Sequence, residues 1–323
     1  MKRLLIDNRL WFLLIFFVGL ICFSRHGVSN QPVHGDNAFL LYMQRVVLAG
    51  EPLYQTTVFD YPPLGPIVGA FAMKIGNAFS IPFYLAPRYL CLIIASLTAA
   101  FIMLLVQKST GNLWAGVFGG IVVSSLQLLG VLACTNLDPK VLLAFFMTLA
   151  ALGIAYDRWW LAGMGSVLAT CCWQPALIVP LAAFIVLLFN RDSLRFRSFL
   201  LGIFLGSLPL VIYFLIYGGV KEFFYQGIVN QAMRSAGGST GHFHLFGWAG
   251  SLWRLLSAER IFVSMAAAGF LFFLIYSIRK DVKGHWMNQL TGGIPVFTVL
   301  WICFSSLHFQ GWNDAAPFFP LIG

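Results

Sequence analysis

Long apolar stretches separated by short polar connections run through most of this chain, and that pattern predicts membrane-crossing helices. Candidate spans are Leu10 to Phe23, Tyr89 to Val106, Leu113 to Ala133, Val141 to Tyr156, Trp160 to Cys172, Ala176 to Phe189, Phe199 to Tyr217, Ile261 to Ile278 and Ile294 to Leu307. Helix is the expected state of each, because hydrocarbon offers the backbone no water to bond. Several fall short of the ~20 residues a straight span needs, so their limits are soft and the stretch from Trp160 to Phe189 could be divided differently. The predicted fold class is an all-α polytopic membrane protein with about 9-10 transmembrane helices.

Composition excludes a soluble globule: 59% of the 323 residues are hydrophobic, only 10% are charged, and mean hydropathy is +0.84. Basic residues in short connections set the orientation. With Lys2, Arg3 and Arg9 inside, alternation also puts inside Lys108, Asp157-Arg158, Arg191-Asp192 with Arg195 and Arg197, and Arg279-Lys280-Asp281 with Lys283. Asp36, Glu51, Asp60, Asp138, Glu222, Glu259 and Asp314 then lie outside, out of eleven acids in the chain. The formal charge of +9 thus reflects topology and not nucleic-acid binding. A cleaved signal peptide is the competing reading of the N-terminus; Asp7 and Asn8, which interrupt its basic region, favour an uncleaved span. The six cysteines (22, 91, 134, 171, 172 and 303) read as apolar filler, Cys134 least securely, and show no metal spacing. At the other end, Ala315 to Gly323 begins an apolar segment too short to span, so the expectation is that the chain continues or that this end is half inserted.

One domain accommodates the whole chain: a first span (1-23), an outside loop (24-88), core spans (89-217), a second outside loop (218-260) and C-terminal spans (261-323). The first loop is too long for a hairpin and too apolar for a plain solvated connection. Gly35-Asp36 precedes Phe39, Tyr42, Met43, Val46 and Val47, and Gly50 follows, which predicts a capped amphipathic helix. Leu64, Ile67, Val68, Phe71, Ile75 and Phe79 repeat the pattern with Gly65, Gly69, Lys74 and Asn77 largely opposite, an interfacial helix with a small-residue face. Tyr61-Pro62-Pro63 stiffens the turn between them. By spacing alone, Asp36 is either a helix cap or a functional acid, and Asp60 either a turn acid or a functional one.

These features in this order resemble the C-type membrane glycosyltransferases, in their protein-mannosyltransferase and aminoarabinose-transferase-like branch. The resemblance rests on Gly35-Asp36-Asn37 after a first span, on Ala49-Gly50-Glu51-Pro52-Leu53-Tyr54, and on Asp60 before Pro62-Pro63-Leu64. Asn136-Leu137-Asp138-Pro139, the stretch from Leu161-Ala162-Gly163 to Trp173-Gln174-Pro175, and Gln310-Gly311-Trp312-Asn313-Asp314 extend it along the chain. The resemblance implies transfer of a sugar from a polyprenyl-phosphate donor to a hydroxyl or similar group of a glycan, lipid or protein acceptor. Asp36 would act as base, with inversion, and Asp60 and Asp138 would be further catalytic carboxylates. It also implies an integral protein of a bacterial inner membrane, with the N-terminus cytoplasmic and the site periplasmic. The chain departs from its relatives where several carry basic residues: Tyr61 and Gln174 stand there. Phosphate recognition then falls to Arg88 first, or to Arg45, Lys74, Lys140, Arg234 or Arg254; the plain reading of Arg88 is an anchor whose charged head reaches the interface.

In the second outside loop, Lys221 to Met233 reads as an amphipathic helix, and Gly237-Gly238-Ser239-Thr240-Gly241 as a linker or a mobile flap. His242, His244 and His308 could join an acid at a metal, but no metal site is assigned and no cofactor is firmly implied; His308 is retained as a substrate-binding candidate. Tyr225, Trp248, Trp253 and Trp312 suit sugar stacking or an interfacial aromatic belt. The alternatives to an enzyme are a transporter or flippase for a lipid-linked or polar substrate, which should carry paired charges within spans, and a noncatalytic membrane scaffold.

Overall fold

The computed structural model describes residues 8–33, 35–190, 192–230 and 233. The spans expected at 261–278 and 294–307, the Gly-rich stretch at 237–241, and His242, His244, His308, Arg234 and Arg254 lie outside the described residues. Every regular element described is helical. In chain order they are α1 (Asn8–Ser24), α2 (Gly35–Leu48), α3 (Leu53–Thr56), α4 (Leu64–Ala78), α5 (Leu85–Thr110), α6 (Leu113–Ser124), α7 (Gln127–Thr135), α8 (Pro139–Ala155) and α9 (Trp159–Cys172). A 3-10 turn (Gln174–Leu177) leads into α10 (Ile178–Asn190), followed by α11 (Ser193–Tyr217), α12 (Val220–Phe224) and a π turn (Tyr225–Val229).

The long elements run alternately between two ends, as the contacts at each end establish. At one end Gln107 Nε2 donates to Asn8 Oδ1 (2.8 Å), Lys108 Nζ lies 5.2 Å from the centre of the Tyr156 ring, and Arg195 Nε pairs with Asp157 (3.1 Å) and Asp192 (3.3 Å). At the other, Arg88 Nη1 donates to the Val28 carbonyl (2.9 Å), Leu53 N–H donates to the Tyr213 hydroxyl (2.9 Å), and Asn136 Nδ2 donates to the Asn37 carbonyl (3.0 Å). Among the described residues, the connections at Lys108, Asp157-Arg158 and Asp192 to Arg195 thus meet at one end with the start of α1, and the segments carrying Asp36, Asp60 and Asp138 at the other.

α5 and α11 are long and apolar enough to cross a membrane, and α6 with α7 makes a third such span if the two count as one. The continuous helix expected from Leu113 to Ala133 is not formed: α6 and α7 meet at 55°. The break falls after Ser124-Ser125, whose hydroxyls donate to the Gly120 and Val122 carbonyls and so compete with the backbone ladder. α1 and α8 have 17 residues each and α9 has 14, all shorter than the expected straight span. α9 and α10 are two elements, divided at an extended Trp173 (φ −155°, ψ 124°), and they return on each other, with Trp159 and Ala162 packing against Ala183 and Leu187. The stretch expected as helix over Lys221 to Met233 is helical at its described residues, as α12, the π turn that continues it, Asn230 and Met233.

Small residues bring these helices together. Without water between them, apolar side chains gain little by meeting, so close backbone approach and packing carry the association. Gly163 and Gly202 face each other's helices so closely that a Cβ on either would strike backbone atoms, at Phe199 and Trp160 respectively, and Gly206 continues the contact on Met164. Gly153 and Gly165 do the same between α8 and α9. On α4 the small face turns inward, Gly69 onto Gln44 of α2 and Gly76 onto Ala86 of α5, and the bulky Phe71, Ile75 and Phe79 are exposed. Gly202→Val should therefore cost about 3 kcal/mol by overpacking, read as a lower Tm in detergent, whereas Leu201→Val on the exposed side of the same helix should leave Tm nearly unchanged. Equal Tm values for the two variants would contradict this packing.

Candidate functional site

Three segments far apart in sequence deliver carboxylates to one cavity of ≈ 490 Å³ at the end opposite the basic connections: Asp36, Asp60 and Asp138 all line it. Asp36 sits inside the first turn of α2, after Gly35 at φ +53°, so its carboxylate lies at the positive end of the helix dipole. Of the two readings left open for Asp36, cap or functional acid, its place within the first turn is compatible with the second. Asp138 does cap a helix: its Oδ1 accepts from Lys140 N–H (2.7 Å), and Pro139 follows as the first residue of α8. Asp60 lies in the extended stretch that Pro62-Pro63 stiffens before α4.

Side-chain amides hold these segments in register. Asn136 bonds the Asn37 carbonyl through Nδ2, while its Oδ1 accepts from Leu137 N–H (2.7 Å) and from Gln44 Nε2 (3.4 Å). The Asp60 stretch is clamped from another side: Gln174 Nε2 donates to the Asp60 carbonyl and to the Gly227 carbonyl (3.0 Å). Gln226 in the π turn donates to the Tyr54 carbonyl (3.0 Å) and accepts from Phe59 N–H (2.9 Å). Beneath this stretch, the rings of Tyr54, Phe59, Tyr213 and Phe223 pack together, and the Tyr54 hydroxyl donates to the Tyr61 carbonyl (2.7 Å). Burial, and less strongly Tyr213, Cys171 and Asp60, raises the Tyr54 pKa well above its ordinary value.

Among the other expected site residues, Tyr61 lines the cavity. Gln174 adjoins it but spends its amide on backbone carbonyls. Arg45 and Lys74 are exposed and do not line it; the Arg45 guanidinium lies 5.1 Å from the centre of the Phe83 ring. Arg88 does not line it either. It is only 1% exposed, held by the Val28 carbonyl and the face of Tyr84, and Nη2 has no hydrogen-bond partner among the described residues. Such burial rules out the interface-anchor reading of Arg88, whose charged head would need water. Among the described residues, the cation that does line the cavity is Lys140, with Nζ 5.6 Å from the centre of the Trp173 ring. Both were named from the sequence, Lys140 among the cations that could meet a phosphate and Trp173 within the Trp173-Gln174-Pro175 stretch, but nothing in the sequence placed the Trp173 ring in the wall.

No group of three or more His, Cys, Asp or Glu side chains among the described residues is placed to hold a metal ion. The described cysteines are free thiols, and Cys134 Sγ donates to the Phe23 carbonyl (3.1 Å). Comparison with known proteins found no matching family model, curated protein or solved structure.

The buried tyrosine gives the site's support a pH dependence. Because folding raises the Tyr54 pKa, its contribution is fully present below the unfolded value of about 10 and is lost as pH rises through the folded value. Tyr54→Phe should cost about 1 kcal/mol at pH 8 through the lost bond to Tyr61. It should also flatten the decline of Tm above about pH 10, and an unchanged alkaline decline would assign that loss to other groups.

Proposed function

We propose that this chain is a polytopic integral-membrane glycosyltransferase. It moves a sugar from a polyprenyl-phosphate donor to an acceptor hydroxyl or similar group at the outer face of the membrane, periplasmic in a bacterial inner membrane. The observation that carries this reading is the convergence of Asp36, Asp60 and Asp138 on one cavity at the end away from the basic connections. Basic connections favour the cytoplasmic side, so the cavity faces outward and every long element crosses the bilayer in turn.

Each cavity residue has a role in such a transfer. Asp36, exposed at the rim, takes the acceptor proton as the acceptor oxygen attacks the anomeric carbon. The bond from that carbon to the phosphate oxygen breaks, its electron pair stays on the phosphate, and the single displacement inverts the centre. Positive charge on the sugar at the transition state is stabilised by Asp60 and Asp138. Lys140 faces the departing phosphate, in place of the basic residue that relatives carry at the position of Tyr61. Tyr61 and Trp173 supply aromatic walls for a sugar ring.

A transporter or flippase of a lipid-linked substrate is the second reading. It is favoured by the broken α6–α7 span, since interrupted helices mark transport pathways.

Transfer of labelled sugar from a panel of polyprenyl-phosphate donors, in membranes holding equal amounts of each protein, separates these readings. The transferase reading expects activity in the wild type and a loss of at least about a hundredfold in Asp36→Asn. Asp138→Asn should lower transfer about tenfold or more while keeping α8 capped, since asparagine caps as well as aspartate. Lys140→Met should chiefly weaken donor use. Wild-type transfer undiminished in Asp36→Asn would refute the base assignment, and donor translocation without transfer would favour the transporter.

A further inference from the structure

Two of the three cavity carboxylates are carried by segments with no covalent proximity, the start of α2 and the start of α8. We propose that Asn136 is the positioning residue that sets Asp36 against Asp138; the inference deepens the transferase reading and rests on it for its kinetic consequence. Asn136 is extended (φ −168°, ψ −177°) between α7 and α8, only 2% exposed, and two residues before Asp138. Its Nδ2 donates to the carbonyl of Asn37, the residue after Asp36, at 3.0 Å. Its Oδ1 accepts from Leu137 N–H at 2.7 Å, which fixes the amide relative to the turn leading into Asp138.

A second anchor lies further along α2. Gln44 is seven residues after Asn37, two turns on and on the same face, and Nε2 reaches Asn136 Oδ1 at 3.4 Å. A carbonyl of the first turn points along the helix toward its C-terminus, while side chains lean toward the N-terminus, so Asn37 and Gln44 reach toward each other and Asn136 sits between. Holding α2 at two points fixes both its height and its rotation about its own axis. The rotation aims Asp36 at the cavity. Gly69 permits this arrangement, since a Cβ there would collide with the Gln44 side chain.

Amide chemistry suits the place better than either alternative. An apolar residue would remove the tie to the Asn37 carbonyl and would leave the already under-bonded Gln44 amide, whose Oε1 has no partner among the described residues, short of a further polar contact in a buried site. A carboxylate would lose the donor to Asn37 and add a fourth negative charge beside Asp36, Asp60 and Asp138. Asparagine supplies one donor group and one acceptor with no charge.

The test uses the full-length membrane protein and two readouts. Asn136→Leu is compared with wild type for kcat and KM with the lipid-phosphate donor, normalised to monodisperse folded protein. Separately, spin labels at Tyr42→Cys and Thr135→Cys, in a background free of native cysteines, report the distance between α2 and the end of α7. Positioning predicts a kcat lower by about ten- to a hundredfold with KM within about threefold, together with a shifted or broadened distance distribution. An unchanged distance distribution with kcat near wild type would overturn the proposal, as would a kcat loss explained wholly by less folded protein. Wild-type inactivity with every donor would refute the transferase reading alone; the label distances then decide the positioning role, a change supporting it and no change overturning it.

Discussion

Charge cannot be left in hydrocarbon, and the arrangement of this protein depends on how its few acids are placed under that constraint. Every carboxylate in the described residues lies at a helix end or in a connection, none within the apolar body of a helix. Asp157 and Asp192 meet Arg195 at one end, where Trp159 Nε1 also donates to Asp157 (2.7 Å). Asp36, Asp60 and Asp138 meet at the other and line one cavity. The first group ties α8, α9 and α11 together; the second brings carboxylates from three separate segments to the wall of that cavity.

The rest of the architecture presents the second group. α5 is the central helix, packed by α1, α6 and α8 along its length and by α4 near its start. Glycine contacts let α9 approach both α8 and α11 closely, and α8 packs on α5. Precision at the cavity comes from neutral amides: Asn136 for the α2 and α8 starts, Gln174 and Gln226 for the Asp60 stretch. These bonds add little net stability each, but leaving their buried partners unmet would be costly, so they specify geometry more than they strengthen the fold.

Much of this was legible in the sequence, because a polar residue within a long apolar background must have a solvated or bonded destination. Asp36, Asp60 and Asp138 stood out for that reason, and all three reach one cavity. Helix existence was legible from apolar runs, whereas their limits were not: the Ser124-Ser125 break and the extended Trp173 are local backbone choices that hydropathy does not record. Arg88 shows the limit for single residues. Its place at the head of a span suited an interface anchor, yet the neighbouring α1–α2 loop folds over it, a tertiary event that spacing along one helix cannot reveal. Gln174, expected at the substrate, turns its amide to backbone carbonyls for a similar reason, while Lys140, one of several cations the sequence offered, is the one that lines the cavity beside Trp173.

The central claim is that the three carboxylates share one water-filled cavity on the outer side of the membrane. The most direct measurement is labelling of single cysteines by a membrane-impermeant maleimide, applied to intact cells and to inverted vesicles, at Asp36→Cys, Asp60→Cys and Asp138→Cys, with Ser109→Cys marking the opposite end. The account predicts that the first three react in intact cells and Ser109→Cys only in inverted vesicles. Reaction of the three cavity positions only in inverted vesicles, or their division between the two sides, would contradict it.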